Sequence, residues 1–176
     1  MVEADLLVQQ FCAQLKALNQ RGPVLDLACG SGKNGLYLAR AGLHTVFADI
    51  NSESLQGIEK SITQESLPAT VWPVDFETSM QPDNTARFSA IVVYRYLHRA
   101  LFDWIKQALL PGGLLIYSTF TYQQVEFGRP RRAEFLLQEH ELRDVFYGWP
   151  ELHYWQGIKP SGPCAMAEIV TQKPYL

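Results

Sequence analysis

The sequence has few cysteines, little net charge and no long apolar run. Its three cysteines, Cys12, Cys29 and Cys164, are odd in number and lack metal-ligand spacing, so we expect a reducing compartment and no metal site. No apolar stretch approaches the roughly 18 residues of a membrane span. Residues 1–5 are acidic, unlike the start of a signal peptide. Together these features predict a cytoplasmic protein with no membrane partner.

The charge balance also limits the class of partner. Fifteen basic and 18 acidic side chains give a formal net charge of −3. Nucleic-acid-binding domains usually present a basic face, so this balance argues against a nucleic-acid partner. An apolar fraction of 47% in 176 residues is typical of one globular domain. We therefore expect a single domain over residues 1–176, as a monomer or a homodimer.

Apolar patterning predicts strands that alternate with helices. Apolar stripes predict helices over 7–18, 101–109 and 142–149, and residues 33–41 form another helix that ends near Gly42. Asn51 or Ser52 caps a further helix, whose stripe is Leu55, Ile58 and Ile62. Apolar runs predict strands at 24–28, 45–49, 69–74, 88–94, 114–120, 151–158 and 164–172. A polar loop is expected at 76–87 and a turn at 111–113. The alternation implies a parallel, doubly wound α/β sheet, and the short turn between the last two strands implies an antiparallel edge.

The most informative stretch is a glycine-rich turn between the first strand and the next helix. Gly30, Gly32 and Gly35 fit the pattern G-x-G-x-x-G. Glycine allows a close approach between backbone and ligand, and the helix N-terminus beyond it offers unpaired N–H groups. The pattern predicts a nucleotide or nucleoside site at the carboxyl end of the first strand.

An acid inside this strand narrows the choice of ligand. Asp26 lies four positions before Gly30, in an apolar strand end where a buried carboxylate is costly unless it is paired. It would repel a pyrophosphate and favour a cationic ligand. S-adenosylmethionine carries a sulfonium and an ammonium group on a nucleoside without phosphate, so it suits this turn better than a dinucleotide does.

The segment Asp26-Leu-Ala-Cys-Gly30-Ser-Gly32 resembles the first motif of class I S-adenosylmethionine-dependent methyltransferases. With Asn34 and the Leu-Tyr-Leu-Ala of 36–39, it is similar to the small branch that includes the tellurite-resistance methyltransferases. The resemblance runs motif by motif from residue 24 to about residue 120, and more loosely beyond. It implies a Rossmann-like, seven-stranded, mostly parallel sheet of order 3-2-1-4-5-7-6, with strand 7 antiparallel.

Further acids close the second and third predicted strands. Asp49, 19 residues after Gly30, would accept hydrogen bonds from ribose hydroxyls, or it balances a helix dipole instead. By resemblance, Asp75 would accept from the adenine amino group and Phe76 would offer its backbone N–H; a plain loop-entry acid is the alternative. Asp26 would meet the cofactor's amino group, or cap its own turn. The predicted cofactor contacts are Asp26, Ala28, Cys29, Gly30, Gly32, Asn34, Asp49, Ile50, Asp75, Phe76 and Tyr94.

The segment after the fourth strand is where class members place residues around the transferring methyl group. Tyr94, Arg95 and His98 are therefore the catalytic candidates. His98 is either a general base or a residue packed at a helix start. Arg95 either holds an anionic substrate or pairs with a surface acid. No acid–base pair stands out, so catalytic roles stay unassigned.

A long basic loop follows the fifth strand. It carries three arginines between Phe127 and Phe135: Arg129, Arg131 and Arg132. Such a loop suits a lid that binds an oxyanion substrate, although a solvated basic loop fits equally well.

Three functions remain open. The favoured one is a methyltransferase acting on a small molecule, such as an oxyanion, a metalloid or a thiol. An NAD-dependent oxidoreductase would use the same glycines and Asp49, but Asp26 and the lack of a substrate domain argue against it. A non-catalytic regulator that binds S-adenosylmethionine would share the cofactor site, and sequence alone hardly separates it from an enzyme.

Overall fold

The sheet at the centre of the computed structural model has the predicted topology. The structure describes residues 4–78, 87–160 and 162–175. The strands are β1 (Val24–Leu27), β2 (Thr45–Asp49), β3 (Ala69–Pro73), β4 (Phe88–Tyr94), β5 (Leu109–Phe120), β6 (Glu151–Ile158) and β7 (Ala165–Gln172). Their order is β3-β2-β1-β4-β5-β7-β6. β7 is antiparallel to β5 and β6, and the other pairs are parallel, which confirms the predicted fold class.

Helices cover both faces of this sheet. They are α1 (Leu6–Gln10), α2 (Cys12–Leu18), α3 (Lys33–Arg40), α4 (Ser52–Glu65), α5 (Leu101–Ala108) and α6 (Glu141–Val145), with short 3-10 helices at Asn19–Arg21, Tyr122–Glu126 and Ala133–Phe135. Leu15 of α2 and Leu38 of α3 pack with Val92 on one face. Trp104 of α5 and Leu142 of α6 pack with residues of the opposite face. Among the described residues, no helix has the length and apolarity needed to cross a bilayer.

The largest difference from the sequence prediction lies before β5. The helical stripe was expected to continue to Leu109, and the strand to begin at Leu114. Instead α5 ends at Ala108, and Leu109 is extended and pairs with Phe88. Pro111 prevents the helix from continuing, since it has no N–H to donate to the carbonyl four residues earlier and disfavours helical backbone at Leu110, so the chain leaves the helix before it. The predicted turn at 111–113 therefore lies within the strand, where the register with β4 shifts and Gly112 has a φ of 73°.

Other boundaries differ by a few residues. The predicted N-terminal helix over 7–18 is divided at Phe11, and β1 ends at Leu27 because Ala28 has a positive φ of 51°. The last helix ends at Val145, short of the predicted stripe to residue 149. Most of the polar loop predicted at 76–87 lies outside the described residues. The carboxyl ends of β1–β4, where the site residues gather, move by at most one residue.

Candidate functional site

A cavity of about 380 Å³ opens at the carboxyl ends of β1–β4. Its lining consists of Ala28, Asp49, Ile50, Val74, Asp75, Phe76, Glu77, Arg95 and Tyr96. Ligands of open α/β sheets bind at this edge, where the strand order reverses. Six of the residues predicted from the sequence meet here: Ala28, Asp49, Ile50, Asp75, Phe76 and Arg95. A larger hollow of about 760 Å³ lies near the amino ends of β1 and β2 and contains none of the predicted residues.

The glycine-rich turn has the backbone that its sequence requires. Ala28, Gly30 and Gly32 have φ values of 51°, 52° and 71°, in the left-handed region. This conformation is strained for alanine and free for glycine. A Cβ built on Gly30 would meet no atom within 4 Å, so the turn leaves open space there. A Cβ on Gly32 would lie 2.7 Å from Cδ1 of Ile58, so this glycine is required by packing as well.

Asp49 joins the turn to the next helix. Its Oδ2 accepts from Gly30 N at 2.7 Å, and its Oδ1 accepts from Asn51 N at 2.8 Å. A carboxylate has about four lone-pair sites, so two of them remain for hydroxyl donors in the cavity. The two alternatives for Asp49 are therefore compatible: the carboxylate lies at the N-terminus of α4, where Asn51 is the N-cap, and it still has acceptor capacity for a ribose.

The far side of the cavity is built from aromatic and acidic residues. The Phe76 ring is buried and lies edge-on to Trp72, with centroids 5.8 Å apart. Oδ1 of Asp75 accepts from Glu77 N at 2.9 Å. Tyr96, which sequence reasoning missed, lines the cavity, and burial raises the pKa of its hydroxyl above the usual value. The alternation of Tyr94 and Tyr96 after the strand was the available signal. An aromatic wall of this kind suits a planar base.

Asp26 does not line the cavity; it lies within β1, before the glycine-rich turn. It is 3% exposed, and its Oδ2 accepts from Gly35 N at 2.8 Å in the first turn of α3. The pKa of Asp26 is raised to about 7, because burial and, to a smaller extent, the charge of Asp49 raise it more than the hydrogen bond from Gly35 N lowers it. The carboxylate thus fixes the helix start. Its contact with a ligand stays a prediction.

Because the Asp26 pKa is raised, its charge should weaken the fold at high pH. The folded state holds the proton more tightly than the unfolded chain does, so stability falls as the pH rises from about 4 to above 7. Asp26→Asn keeps a side-chain oxygen for Gly35 N and removes the charge. We expect wild type to lose roughly 2–3 kcal/mol more than this variant between pH 5 and pH 8. Urea unfolding of both proteins at the two pH values measures this; parallel losses would contradict it.

The other predicted cofactor contacts lie outside this lining. Oδ1 of the buried Asn34 accepts from Asp5 N at 2.9 Å and so ties the N-terminal segment to α3. Burial raises the pKa of the Cys29 thiol, and the charges of Asp26 and Asp49 raise it further, so this thiol does not ionise readily. The roles of Cys29, Gly30, Gly32, Asn34 and Tyr94 toward a cofactor stay predictions.

A row of side chains continues from Tyr94 across the sheet. Strand register aligns one residue each from β4, β5, β7 and β6: Tyr94, Ser118, Glu168 and Trp155. Directly paired residues point to the same face of a sheet. Glu168 is 7% exposed and contacts Lys159 Nζ, while Ser118 Oγ donates to it at 3.4 Å and His153 Nε2 lies 3.5 Å away. Sequence reasoning missed Glu168, because its partners meet only through strand pairing.

The remaining predicted residues are not brought to the cavity. His98 lines a separate hollow with Glu134 and Phe135, and its carbonyl accepts from Leu101 N at the start of α5. The three loop arginines, Arg129, Arg131 and Arg132, are exposed and do not line the cavity. Arg132 pairs with Glu134 at 3.1 Å. Their role toward an acceptor stays a prediction. Within the described ranges, no group of three or more His, Cys, Asp or Glu side chains could hold a metal.

Comparison with known proteins gives a family match over most of the chain. The family model described as "Tellurite resistance protein TehB" matches residues 11–159. The "Probable S-adenosyl-L-methionine-dependent methyltransferase TehB" of Haemophilus influenzae is 27% identical over 136 residues, which cover 74% of this chain and 47% of that protein. The chain thus spans about half the length of the curated relatives it matches.

Solved structures have the same fold. TehB from Haemophilus influenzae superposes with a TM-score of 0.71 at 21% identity, over 93% of this chain and 62% of that one. The 1,6-didemethyltoxoflavin-N1-methyltransferase of Burkholderia thailandensis, solved with S-adenosylhomocysteine, gives 0.70 at 17% identity, over 96% and 79%. At these identities the likeness supports the fold alone. The matched segment 11–159 includes the turn and every residue that lines the cavity, so the resemblance stated from Asp26–Gly32 is confirmed, and the chain belongs to the TehB family of class I S-adenosylmethionine-dependent methyltransferases.

Proposed function

We propose that this chain binds S-adenosylmethionine and transfers its methyl group to a small-molecule acceptor. The observation that carries the proposal is the cavity at the carboxyl ends of β1–β4, with Asp49 held against Gly30 N at 2.7 Å. Asp49 has acceptor capacity for ribose hydroxyls, Gly30 leaves open space, and Tyr96 and Phe76 suit a planar base. The residues present therefore fit the cofactor that the family implies.

The chain's own residues would act by positioning. The cofactor supplies a methyl group on a sulfonium, whose neutral leaving group needs little acid–base help. Asp49 would orient the ribose and Asp75 the adenine edge, so that the sulfonium lies near the end of β4. Holding two reactants in line contributes a large part of the rate in such displacements.

Tyr94 is suited to donate a hydrogen bond. Its pKa is raised to about 12, mainly by burial and also by the Asp5 carboxylate, against a lowering effect of Arg95. The phenol therefore stays protonated at neutral pH and does not serve as a general base. An acceptor that brings its own lone pair, such as an oxyanion, a metalloid or a thiolate, needs no such base. We propose an acceptor of this kind, in line with the family description "Tellurite resistance protein".

Ligand-induced stabilisation tests the cofactor. We expect S-adenosylhomocysteine at 100 times its dissociation constant to add about 2.7 kcal/mol to the free energy of unfolding, which raises Tm by several degrees in a domain of this size. NAD at the same concentration should leave Tm unchanged, because its pyrophosphate would lie near Asp26 and Asp49. Thermal unfolding with each ligand measures the difference. Stabilisation by NAD alone would overturn the proposal in favour of an oxidoreductase.

Methyl transfer itself is tested with a labelled donor. The protein is incubated with methyl-labelled S-adenosylmethionine and, in separate reactions, tellurite, selenite and a small thiol. Labelled product together with S-adenosylhomocysteine supports an enzyme. Tight cofactor binding without turnover of any acceptor in a wider panel would instead favour the regulator.

A further inference from the structure

Two cations meet at one aromatic ring beside the proposed cofactor cavity. Lys33 Nζ lies 4.7 Å from the centroid of the Tyr94 ring, and Arg95 Cζ lies 5.3 Å from the same centroid. Each cation is attracted by the face of the ring, whereas two like charges held close together repel. We infer that Lys33, Arg95 and Tyr94 form an anion subsite that takes one carboxylate or oxyanion.

The two cations lack an ion-pair partner of their own. Within the part of the chain that the structure describes, neither Lys33 nor Arg95 lies within 4.0 Å of a carboxylate oxygen. The nearby acid is Asp5, whose charge raises the pKa of Tyr94 and whose Oδ1 accepts from Leu7 N at 3.0 Å. Arg95 also shares the cavity with acids that it does not pair with. No carboxylate of the described residues is therefore paired with either cation, which leaves both available to an anion.

The backbone around the two cations also favours an anion. Lys33 is the first residue of α3, whose N-cap, Gly32, offers no side-chain hydrogen bond. Asp26 Oδ2 accepts from Gly35 N in the first turn, whereas Gly32 offers no acceptor to the N–H groups of Lys33 and Asn34, and such N–H groups favour negative charge beside them. Arg95 has a φ of 56°, a left-handed conformation that is strained for arginine, and its N–H donates to Ser118 O at 2.8 Å. Such strain is typical of positions held for a function.

The place of the subsite limits which anion it takes. Arg95 also lines the cavity, whereas Lys33 follows the glycine-rich turn. The subsite thus lies beside β1 and β4, whereas Asp75 and Phe76 follow β3, which is separated from β1 by β2 in the sheet. The identity of the anion rests on the proposed function, in which the adenosine occupies the cavity. The anion is then either the carboxylate of the cofactor's methionyl group or an anionic acceptor bound beside it.

Two cofactor fragments separate these sources. S-adenosylhomocysteine carries the carboxylate, whereas 5′-methylthioadenosine keeps the adenosine and sulfur and lacks it. We expect Lys33→Gln and Arg95→Gln each to weaken S-adenosylhomocysteine about tenfold by calorimetry, since charge-assisted hydrogen bonds are lost, with 5′-methylthioadenosine unchanged. Lys33→Arg should restore most of the affinity. Lys60→Gln, an exposed lysine of α4, is the control for net charge.

The remaining outcomes are also decisive. If both variants bind S-adenosylhomocysteine like wild type but lose selenite binding to the complex with 5′-methylthioadenosine, the subsite serves the acceptor. If the variants change the binding of neither adenosine ligand and also bind selenite like wild type, or if both adenosine ligands weaken equally, the anion subsite is overturned while the proposed function stands. Wild type that binds neither adenosine ligand overturns the proposed function instead, and this inference with it.

Discussion

Replacing Gly35 by alanine is expected to destabilise the fold by about 3 kcal/mol. An added Cβ would press on the ring of Phe47, which has no exposed surface, and would lie 2.7 Å from Oδ2 of Asp26. Neither neighbour is the free end of a flexible side chain. The gain of about 1 kcal/mol in helix propensity is too small to offset this overpacking. Urea unfolding of the variant and wild type measures the loss.

Gly57→Ala is the matched control for this experiment. Gly57 is also a helical glycine, on α4, and a Cβ there would meet no atom within 4 Å. It should stabilise the fold by about 0.5–1 kcal/mol through helix propensity alone. If Gly35→Ala were as stable as Gly57→Ala, the close packing of α3 on β2 would be refuted.

Asp49→Ala is expected to weaken S-adenosylhomocysteine by roughly 1.5–3 kcal/mol, or about tenfold to more than a hundredfold. The variant loses the acceptor proposed for the ribose and also the acceptor that Gly30 N meets at 2.7 Å. Since 5′-methylthioadenosine has the same ribose, it should weaken to a similar extent, unlike in the Lys33 variants. Calorimetric titration of both ligands tests this.

The control for Asp49 is an acid elsewhere on the surface. The side chain of Asp103 on α5 is 85% exposed and does not line the cavity, so Asp103→Ala should leave both affinities unchanged. Unchanged affinity in Asp49→Ala would mean that the ribose partner lies elsewhere. A large loss of fold stability would instead identify Asp49 mainly as the residue that orders the turn.

The strands could be predicted because their apolar runs are short and bounded by breakers. Val24–Leu27 is buried throughout and ends where Ala28 takes a positive φ. The order of the strands came from the family resemblance, since periodicity alone does not specify it. Leu109 was wrongly assigned to a helix because it continues an apolar stripe, and the effect of Pro111 on its neighbours outweighs that stripe. The single domain over 1–176 stays a prediction.

The site was predictable to the extent that it sits at strand ends. Asp49 and Asp75 were found because an acid that closes a parallel strand must lie at the ligand-binding edge. Glu168 and Lys159 were missed because their pairing depends on the antiparallel register of β6 and β7. Composition left Arg129, Arg131 and Arg132 in either a lid or a solvated loop. The structure leaves them exposed and outside the cavity lining, and their role toward an acceptor stays a prediction.

The bond from Asp5 N to Asn34 Oδ1 has a practical consequence for spectroscopy. Asn34 follows Lys33 in the chain, and the charge of Asp5 raises the pKa of Tyr94. The first described residues therefore adjoin the proposed anion subsite, where the methionyl group of the cofactor would bind. Leu6, beside Asp5, is 78% exposed. A nitroxide or fluorophore attached at position 6 would therefore sense occupancy from outside the cavity, and could follow ligand arrival in real time without an acceptor being known.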